Sequence, residues 1–581
     1  MASLIEGKKG ILKETIYKHK EHNVDTEYDE FPLTDVQMAY LIGRNEGIAL
    51  GGISTHGYYE ILTHLNIRKL EESLNKVIEI QPMLRAIISK SGTQKILKEV
   101  PRYRISENDI RGYTDEEQEN VIKTERQRMS HYVFDTEKWP LFEFKAFRTD
   151  EEEYYLFVGI DLLIADGGSV RIFIRQLLDF YYDRFDKNRQ NAFTFKDYVE
   201  ALNDFSESST YKEDKDYWME QISLIPPAPM LPLQKDPSVI RKPQFARIEK
   251  VIPKSEWNVL QKEAKKKGIT TSTLLCTAYA LVLGYWSNQP ELTINVTVFT
   301  RYPFNEGVTD IVGDFTSVIL LRVNLLGRSD FWKLASEIQN QLMDALEHRH
   351  YDGMNVIRKI AEQAEMKEQA VMPVVFTSLL FSMEEGDIVT IEDLGEVKMG
   401  VSQTSQVYLD YQVMETKEGL LITWDYIKEL FTPNMISTMF KQYINIVESL
   451  SKNVISMPHL DSKEQEVFTA YNDTKLDMPI LPIQTTFKKI AEKYPEKILI
   501  ADNTGGVTCH QVDKQSSQIA NYLLNQKIKR GDVIAVLGNR RKETIINILG
   551  ILKAGAAYVA IDPEYPEERK KYILSHSESV M

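Results

Sequence analysis

Cysteine is nearly absent: Cys276 and Cys509 are the only two in 581 residues, and they stand far apart. A disulfide framework and a Cys-rich zinc site are excluded, and a reducing cytoplasm is the expected setting. Long apolar runs are also missing. None reaches the roughly 18 residues that a membrane span needs; the apolar part of TLLCTAYALVLGYW is shorter and reads as a core helix. No secretory leader is visible in MASLIEGKKGILKETIYKHKEHN, which has neither a long apolar segment nor a small-residue cleavage site. Positive charge is not in excess. The formal net charge of −15 argues against general nucleic-acid binding. The ten histidines show no ligand spacing such as H-E-x-x-H, so no metal is expected. Neither a GxxxxGK[ST] phosphate loop nor a GxSxG nucleophile turn occurs.

What remains is the composition of a globular protein, 43% hydrophobic and 27% charged. The length calls for about three or four domains. Residues 1–25 are rich in Lys and Glu, with Ile5, Ile11, Leu12 and Ile16 at near-helical spacing, and read as an extension carrying a small docking helix. Mixed α/β patterns fill 26–205 and 206–455. Early in the second, LIPPAPMLPLQKDP at 224–237 is an extended crossing strap or a linker, because proline fixes φ. A helix is predicted over 271–286, with Leu274, Leu275, Ala278, Leu281, Val282 and Tyr285 on its inner face. Strands are predicted at 292–298, 316–323 and 371–380. A polar linker at 456–483 precedes another α/β pattern over 484–581. No internal repeat is evident.

One stretch, YYLFVGIDLLIADGGSVRIF, places two carboxylates where the pattern calls for core. Residues 154–160 read as a buried strand. Gly167 and Gly168 break it, and Ser169 fits as the N-cap of a helix with apolar residues at Val170, Phe173, Ile174, Leu177 and Leu178. Asp161 then ends the strand, and Asp166 lies in the loop before the helix, where the helix dipole favours a carboxylate. The residues alone leave two readings: a solvated Asp161 with a turn or capping Asp166, or a functional pair. Further on, PVVFTS places Val375 and Thr377 on one strand face, and QVYLDYQ places Gln406, Tyr408, Asp410 and Gln412 on another. Such a polar stripe faces either solvent or a site.

Taken together, the motifs resemble the heterocyclization domains of nonribosomal peptide synthetases, relatives of condensation domains. The blocks stand in family order: FPLTDVQMAYLIGR at 31–44, QPMLRA at 81–86, the pair Asp161 and Asp166, the proline-rich strap, TTSTLLCTAYALVLGYWS, GDFTSVILL, MPVVFTS and VSQTSQVYLDYQ. The family often has His where this chain has Gln81. The Asp pair separates it from ordinary condensation domains, whose HHxxxDG would put two His at Asp161 and Leu162. GVTCHQV and LKAGAAYVAIDPEYPEER, the latter at 552–569, resemble early blocks of an adenylation domain. The phosphate loop and all later blocks are missing, so complete ATP-dependent amino-acid activation is not expected.

The resemblance implies an α/β fold of two chloramphenicol acetyltransferase-like lobes in a V, followed by an incomplete adenylation fragment. It implies amide condensation of an upstream acyl thioester with carrier-bound Cys, Ser or Thr, then cyclodehydration to a thiazoline or oxazoline. No cofactor is expected on the chain itself, because the 4′-phosphopantetheine arms belong to partner carrier domains. Asp410 is the implied acid/base and Thr377 its positioning partner, with Gln412 as a further hydrogen-bonding residue. Asp166 is implied to shape the site through an ion pair, for which Arg301 is the candidate partner; Asp161 is expected to face the chemistry near the tunnel, with a direct and a structural role both open. Ser378, on the opposite strand face, is expected to be structural. The rival readings are plain amide condensation and a carrier-docking scaffold without catalysis.

Overall fold

The computed structural model describes residues 17–186, 192–327, 330–364, 370–380, 389–452, 454–459, 462–477 and 480–581. The chain divides into two compact units, Met1–His459 and Leu460–Met581.

Two sheets organise the first unit. One has five strands in the order Glu396–Gln403, His56–Thr63, Tyr154–Asp161, Phe142–Arg148 and Ser106–Asp109. Only the last pairing is parallel. The helices Ile67–Ile80 and Gly167–Tyr181 cover it, burying Leu70, Leu74, Val77, Phe173 and Leu177 against Phe144 and Val158. The other sheet has six strands: Thr316–Asn324, Glu291–Phe299, Val374–Ser378, Leu409–Glu415, Gly419–Ile427 and Phe245–Pro253. Val374–Ser378 runs parallel to both neighbours. The helix Thr271–Ser287 lies in the core behind this sheet and is buried all round from Ser272 to Gly284. A one-face pattern therefore under-counts its buried side, and Tyr285 is exposed.

The division into lobes at 205 is crossed by the chain. Strand Glu396–Gln403, from the second half of the sequence, completes the edge of the first sheet against His56–Thr63. The lobes are further joined by Asp35, which accepts from Arg358 Nη1 and Asn355 Nδ2 at 2.8 Å each. The proline-rich segment proves to be a strap. The Pro226 and Pro227 carbonyls accept from Thr293 Oγ1 and N, and Gln234 Nε2 donates to the carbonyls of Lys428, Glu429 and Phe431.

Ile5, Ile11, Leu12 and Ile16, on which the docking helix was predicted, lie outside the described residues. Residues 17–23 carry no helix. Tyr17 there stacks on Tyr302 and donates or accepts at His350 Nε2, 2.9 Å away.

In the second unit, the predicted polar linker contains the helix Ser462–Asn472, none of whose residues is buried. The remainder holds an antiparallel pair, Ile498–Asp502 with Gly505–Thr508, and a parallel pair, Val533–Leu537 with Ala557–Ile561, joined through the helix Lys542–Lys553. Among the described residues no single helix is long and apolar enough to cross a membrane.

Candidate active site

A cavity of about 300 Å³ opens between the two sheets of the first unit. The first half of the chain supplies Tyr40, Tyr59, Asp166 and Arg171 to its wall, and the six-stranded sheet supplies Asn295, Thr297, Thr377, Asp410 and Gln412. Pleating explains the second set. Side chains two apart share a face, and the parallel register sets Val375 beside Asp410 and Thr377 beside Gln412. Asp410 and Gln412 therefore face the cavity rather than bulk solvent, but the predicted stripe does not extend to Tyr408: the strand begins at Leu409, and Tyr408 packs against the core.

Thr377, Asp410 and Gln412 are brought together. Asp410 is buried. Its Oδ2 accepts from Gln412 Nε2 at 2.7 Å, and its Oδ1 lies 3.4 Å from Thr377 Oγ1. Thr377 Oγ1 also bonds Thr297 Oγ1 at 2.9 Å. Burial pushes the Asp410 carboxyl up to about 7, and the nearby Asp425 carboxylate pushes the same way. The bond from Gln412, the Arg247 charge and the bond from Thr377 act against the rise. A group near 7 is poised both to give and to take a proton at neutral pH. Ser378 turns to the other face and bonds Ser272 Oγ at 2.7 Å, inside the core.

Asp166, not Ser169, caps the helix Gly167–Tyr181. Its Oδ1 accepts from Ser169 N at 2.6 Å, and its Oδ2 from Phe315 N at 3.1 Å. The predicted partner Arg301 stands 3.7 Å from Oδ1, close enough to neutralise charge but beyond a hydrogen bond. Arg301 spends its donors on the carbonyls of Val308 and Ile311 and on Ser169 Oγ, and its plane stacks 3.8 Å from the Phe315 ring centre. Ser169 Oγ in turn donates to the Gly313 carbonyl at 2.6 Å. The GDF block thus clasps the start of the helix.

Asp161 requires a correction. Ile160 lines the cavity, so pleating turns Asp161 to the other side of the sheet. It is fully buried, neither solvated nor facing the cavity. Its carboxylate pairs with Arg44, accepts from Ser54 Oγ at 3.3 Å, and takes the Leu163 N–H at 3.1 Å.

Several wall residues escaped the sequence reading. Asn295 and Thr297 sit on one face of LTINVTV, the same alternation that revealed Asp410, and the Asn295 side-chain oxygen has no partner. Tyr40 sits inside the first motif block. Asp314, next to Gly313 and outside the cavity lining, is fully buried with its Oδ2 unpartnered; burial first and Asp166 second hold its carboxyl well above the usual carboxylate range. Among the described residues no cluster of His, Cys, Asp and Glu could hold a metal ion.

Comparison with known proteins places this geometry in a family. Residues 28–475 match the condensation-domain model, and residues 487–581 match the AMP-binding enzyme model. Bacitracin synthase 1 of Bacillus licheniformis is 38% identical over 95% of the chain. Phenyloxazoline synthase MbtB of Mycobacterium tuberculosis is 27% identical over 99% of it. The chain spans only 10% and 41% of those two proteins. Among solved structures, the cyclization-docking bidomain of the synthetase EpoB from Sorangium cellulosum aligns with a TM-score of 0.71 and 32% identity, covering 75% of this chain and 88% of that one. The nonribosomal peptide synthetase FmoA3 aligns with a TM-score of 0.81 and 26% identity over 97% of this chain and 59% of that one. The chain belongs to the condensation-domain family of nonribosomal peptide synthetases and continues into a segment matching the AMP-binding enzymes.

Proposed function

We propose that this chain joins an upstream acyl thioester to a carrier-bound Cys, Ser or Thr and then closes the product to a thiazoline or oxazoline. The observation that carries the reading is Asp410: a buried carboxyl pushed up to about 7, facing a cavity and held by Gln412 and Thr377. Plain amide formation needs little beyond bringing amine and thioester together. Ring closure with loss of water needs a group that holds a proton and releases it. Two relatives, a cyclization-docking bidomain and a phenyloxazoline synthase, support the same reading.

In the first stage the amine attacks the thioester carbonyl. A C–N bond forms, the C–S bond breaks, and the upstream carrier thiol leaves with the proton. In the second stage the side-chain thiol or hydroxyl adds to the amide carbonyl, whose oxygen becomes a hydroxyl. Asp410 protonates that hydroxyl as it leaves as water. The ring nitrogen then gives its proton back to Asp410 as the C=N bond forms. Thr377 and Gln412 hold the carboxyl in line. The substrates arrive on the phosphopantetheine arms of two partner carrier domains.

The test is mass spectrometry of the carrier-bound product over time. The parent protein should give the ring. Asp410→Asn and Thr377→Ala should couple at a near-normal rate and accumulate the open amide, about one water heavier. Asparagine keeps the shape but carries no exchangeable acid proton, and ring closure should slow by about 10² to 10⁴-fold for Asp410→Asn. Coupling without ring closure in the parent would establish plain condensation, and carrier binding without coupling would establish a scaffold.

A further inference from the structure

A charged row runs across the sheet from Asp410 and has no part in the scheme above. The antiparallel register sets Asp425 directly opposite Asp410, and the next strand sets Arg247 opposite Asp425. Directly opposed side chains in such a pair stand about 4.5–5.5 Å apart at Cβ. Two buried carboxylates therefore face each other. Arg247 grips only one of them, with Nε to Oδ1 at 2.9 Å and Nη2 to Oδ2 at 2.7 Å of Asp425. Side-chain exposure is 8% for Arg247 and 0% for Asp425.

The pair also touches the crossing strand. Asp425 Oδ2 accepts the Ser402 N–H at 3.2 Å, and Ser402 lines the cavity. A Cβ on Gly400 would stand 2.9 Å from Arg247 Nη1, so this strand approaches closely because residue 400 has no side chain.

We propose that the Arg247–Asp425 pair is a positioning device for ring closure, in which the Asp425 carboxylate keeps Asp410 protonated while Arg247 limits that effect and locks the crossing strand. The inference rests on the proposed acid/base role of Asp410. Asp425 stands one strand away and Arg247 two, so the nearer negative charge outweighs the farther positive one. The directions at Asp410 agree, with Asp425 raising its proton affinity more than Arg247 lowers it. Tyr279 from the core helix and Tyr40 from the helix Asp35–Gly43, which feel the Asp410 charge, are held protonated by burial; Tyr59 on the strand His56–Thr63, a cavity-wall residue that hydrogen-bonds Arg247, is pushed up by burial as well. Asp425 and Arg247 are thus the charged groups that act most strongly on Asp410.

The experiment is the pH profile of ring closure, read separately from coupling by the mass of the carrier-bound product. Three proteins are compared: the parent, Asp425→Asn, and the double variant Asp425→Leu/Arg247→Met. The apolar pair is included because replacing a whole buried ion pair keeps folding stability, whereas removing one partner can forfeit it. Losing Asp425 alone leaves Arg247 to stabilise the Asp410 carboxylate. The ionisation limb should then move down by about one pH unit or more. Losing both should place the limb between the other two proteins, and coupling should keep its parent profile in all three. If Asp425→Asn fails to fold, the double variant alone carries the reading through its smaller downward shift. Superimposable limbs, or coupling and ring closure falling together, would overturn the proposal and leave the pair a fold-holding one. A parent protein that closes no ring would instead overturn the function proposed above.

Discussion

Replacing Asp166 by alanine removes three interactions at one point. Ser169 N loses its cap, Phe315 N loses its acceptor, and Arg301 loses the nearest negative charge. A lost cap costs about 1 kcal/mol. A buried N–H left without a partner costs about 1–3 kcal/mol. Breaking a buried ion pair costs about 3–5 kcal/mol, but only part applies here. Arg301 keeps two carbonyls, the Ser169 hydroxyl and the face of Phe315. The total is about 3–5 kcal/mol. At about 2 °C per kcal/mol for a larger domain, Asp166→Ala should melt the 1–459 unit roughly 6–10 °C early. Asp166→Asn keeps an acceptor oxygen and should lose about half as much. Because the same clasp forms a wall of the cavity, Asp166→Ala should abolish both coupling and ring closure. Differential scanning fluorimetry and the carrier-product mass assay measure the two effects. An unchanged melting temperature with full coupling would refute the clasp, and equal losses for Ala and Asn would refute its origin in the two N–H bonds.

Asp161→Asn leaves Arg44 without its buried counter-charge and should destabilise by about 3–5 kcal/mol; Asp161→Leu with Arg44→Met should recover most of that, as read by urea midpoint. A stable Asp161→Asn that couples slowly would mean the carboxylate acts on substrate after all. Gly313→Ala should cost about 1–3 kcal/mol by overpacking, since its Cβ would lie 2.2 Å from the Phe195 ring, and adding Phe195→Leu should return part of it. In the parent protein, ring closure should lose rate as pH rises through about 7, because the proton Asp410 must deliver is then gone, while coupling shows no such limb. A flat ring-closure profile across pH 6–8 would remove Asp410 from the proton-delivering role.

What the sequence made legible follows from which interactions are local. Alternation along one strand needs no knowledge of neighbours, so Thr377, Asp410 and Gln412 could be placed on faces from the sequence, and a helix over 271–286 could be read from its apolar run. The same alternation in LTINVTV would have revealed Asn295 and Thr297. The Asp166 carboxylate could be assigned to the start of a helix because capping is a three-residue event. Its second bond, to Phe315 N, spans 149 residues and had no local trace.

Asp161 departs from its expected place beside the cavity for a reason of the same kind. A charged residue ending an apolar strand is solvated, functional or paired, and the choice depends on whether a cation arrives from elsewhere. Here Arg44 arrives from 117 residues away. The row Asp410, Asp425, Arg247 is the clearest case. Its strands are neighbours in the sheet, yet Phe245–Pro253 precedes Leu409–Glu415 by some 160 residues and pairs only through Gly419–Ile427. Each charge viewed in its own segment looks like a solvated surface residue. Only the register makes them a buried triplet, in which one carboxylate has a cation and the other does not. That asymmetry matters to the chemistry. Two equally paired carboxylates would both stay ionised at neutral pH, and neither could hand a proton to a leaving hydroxyl. By giving Arg247 to Asp425, the sheet leaves Asp410 as the member that can hold a proton near pH 7 on the cavity side.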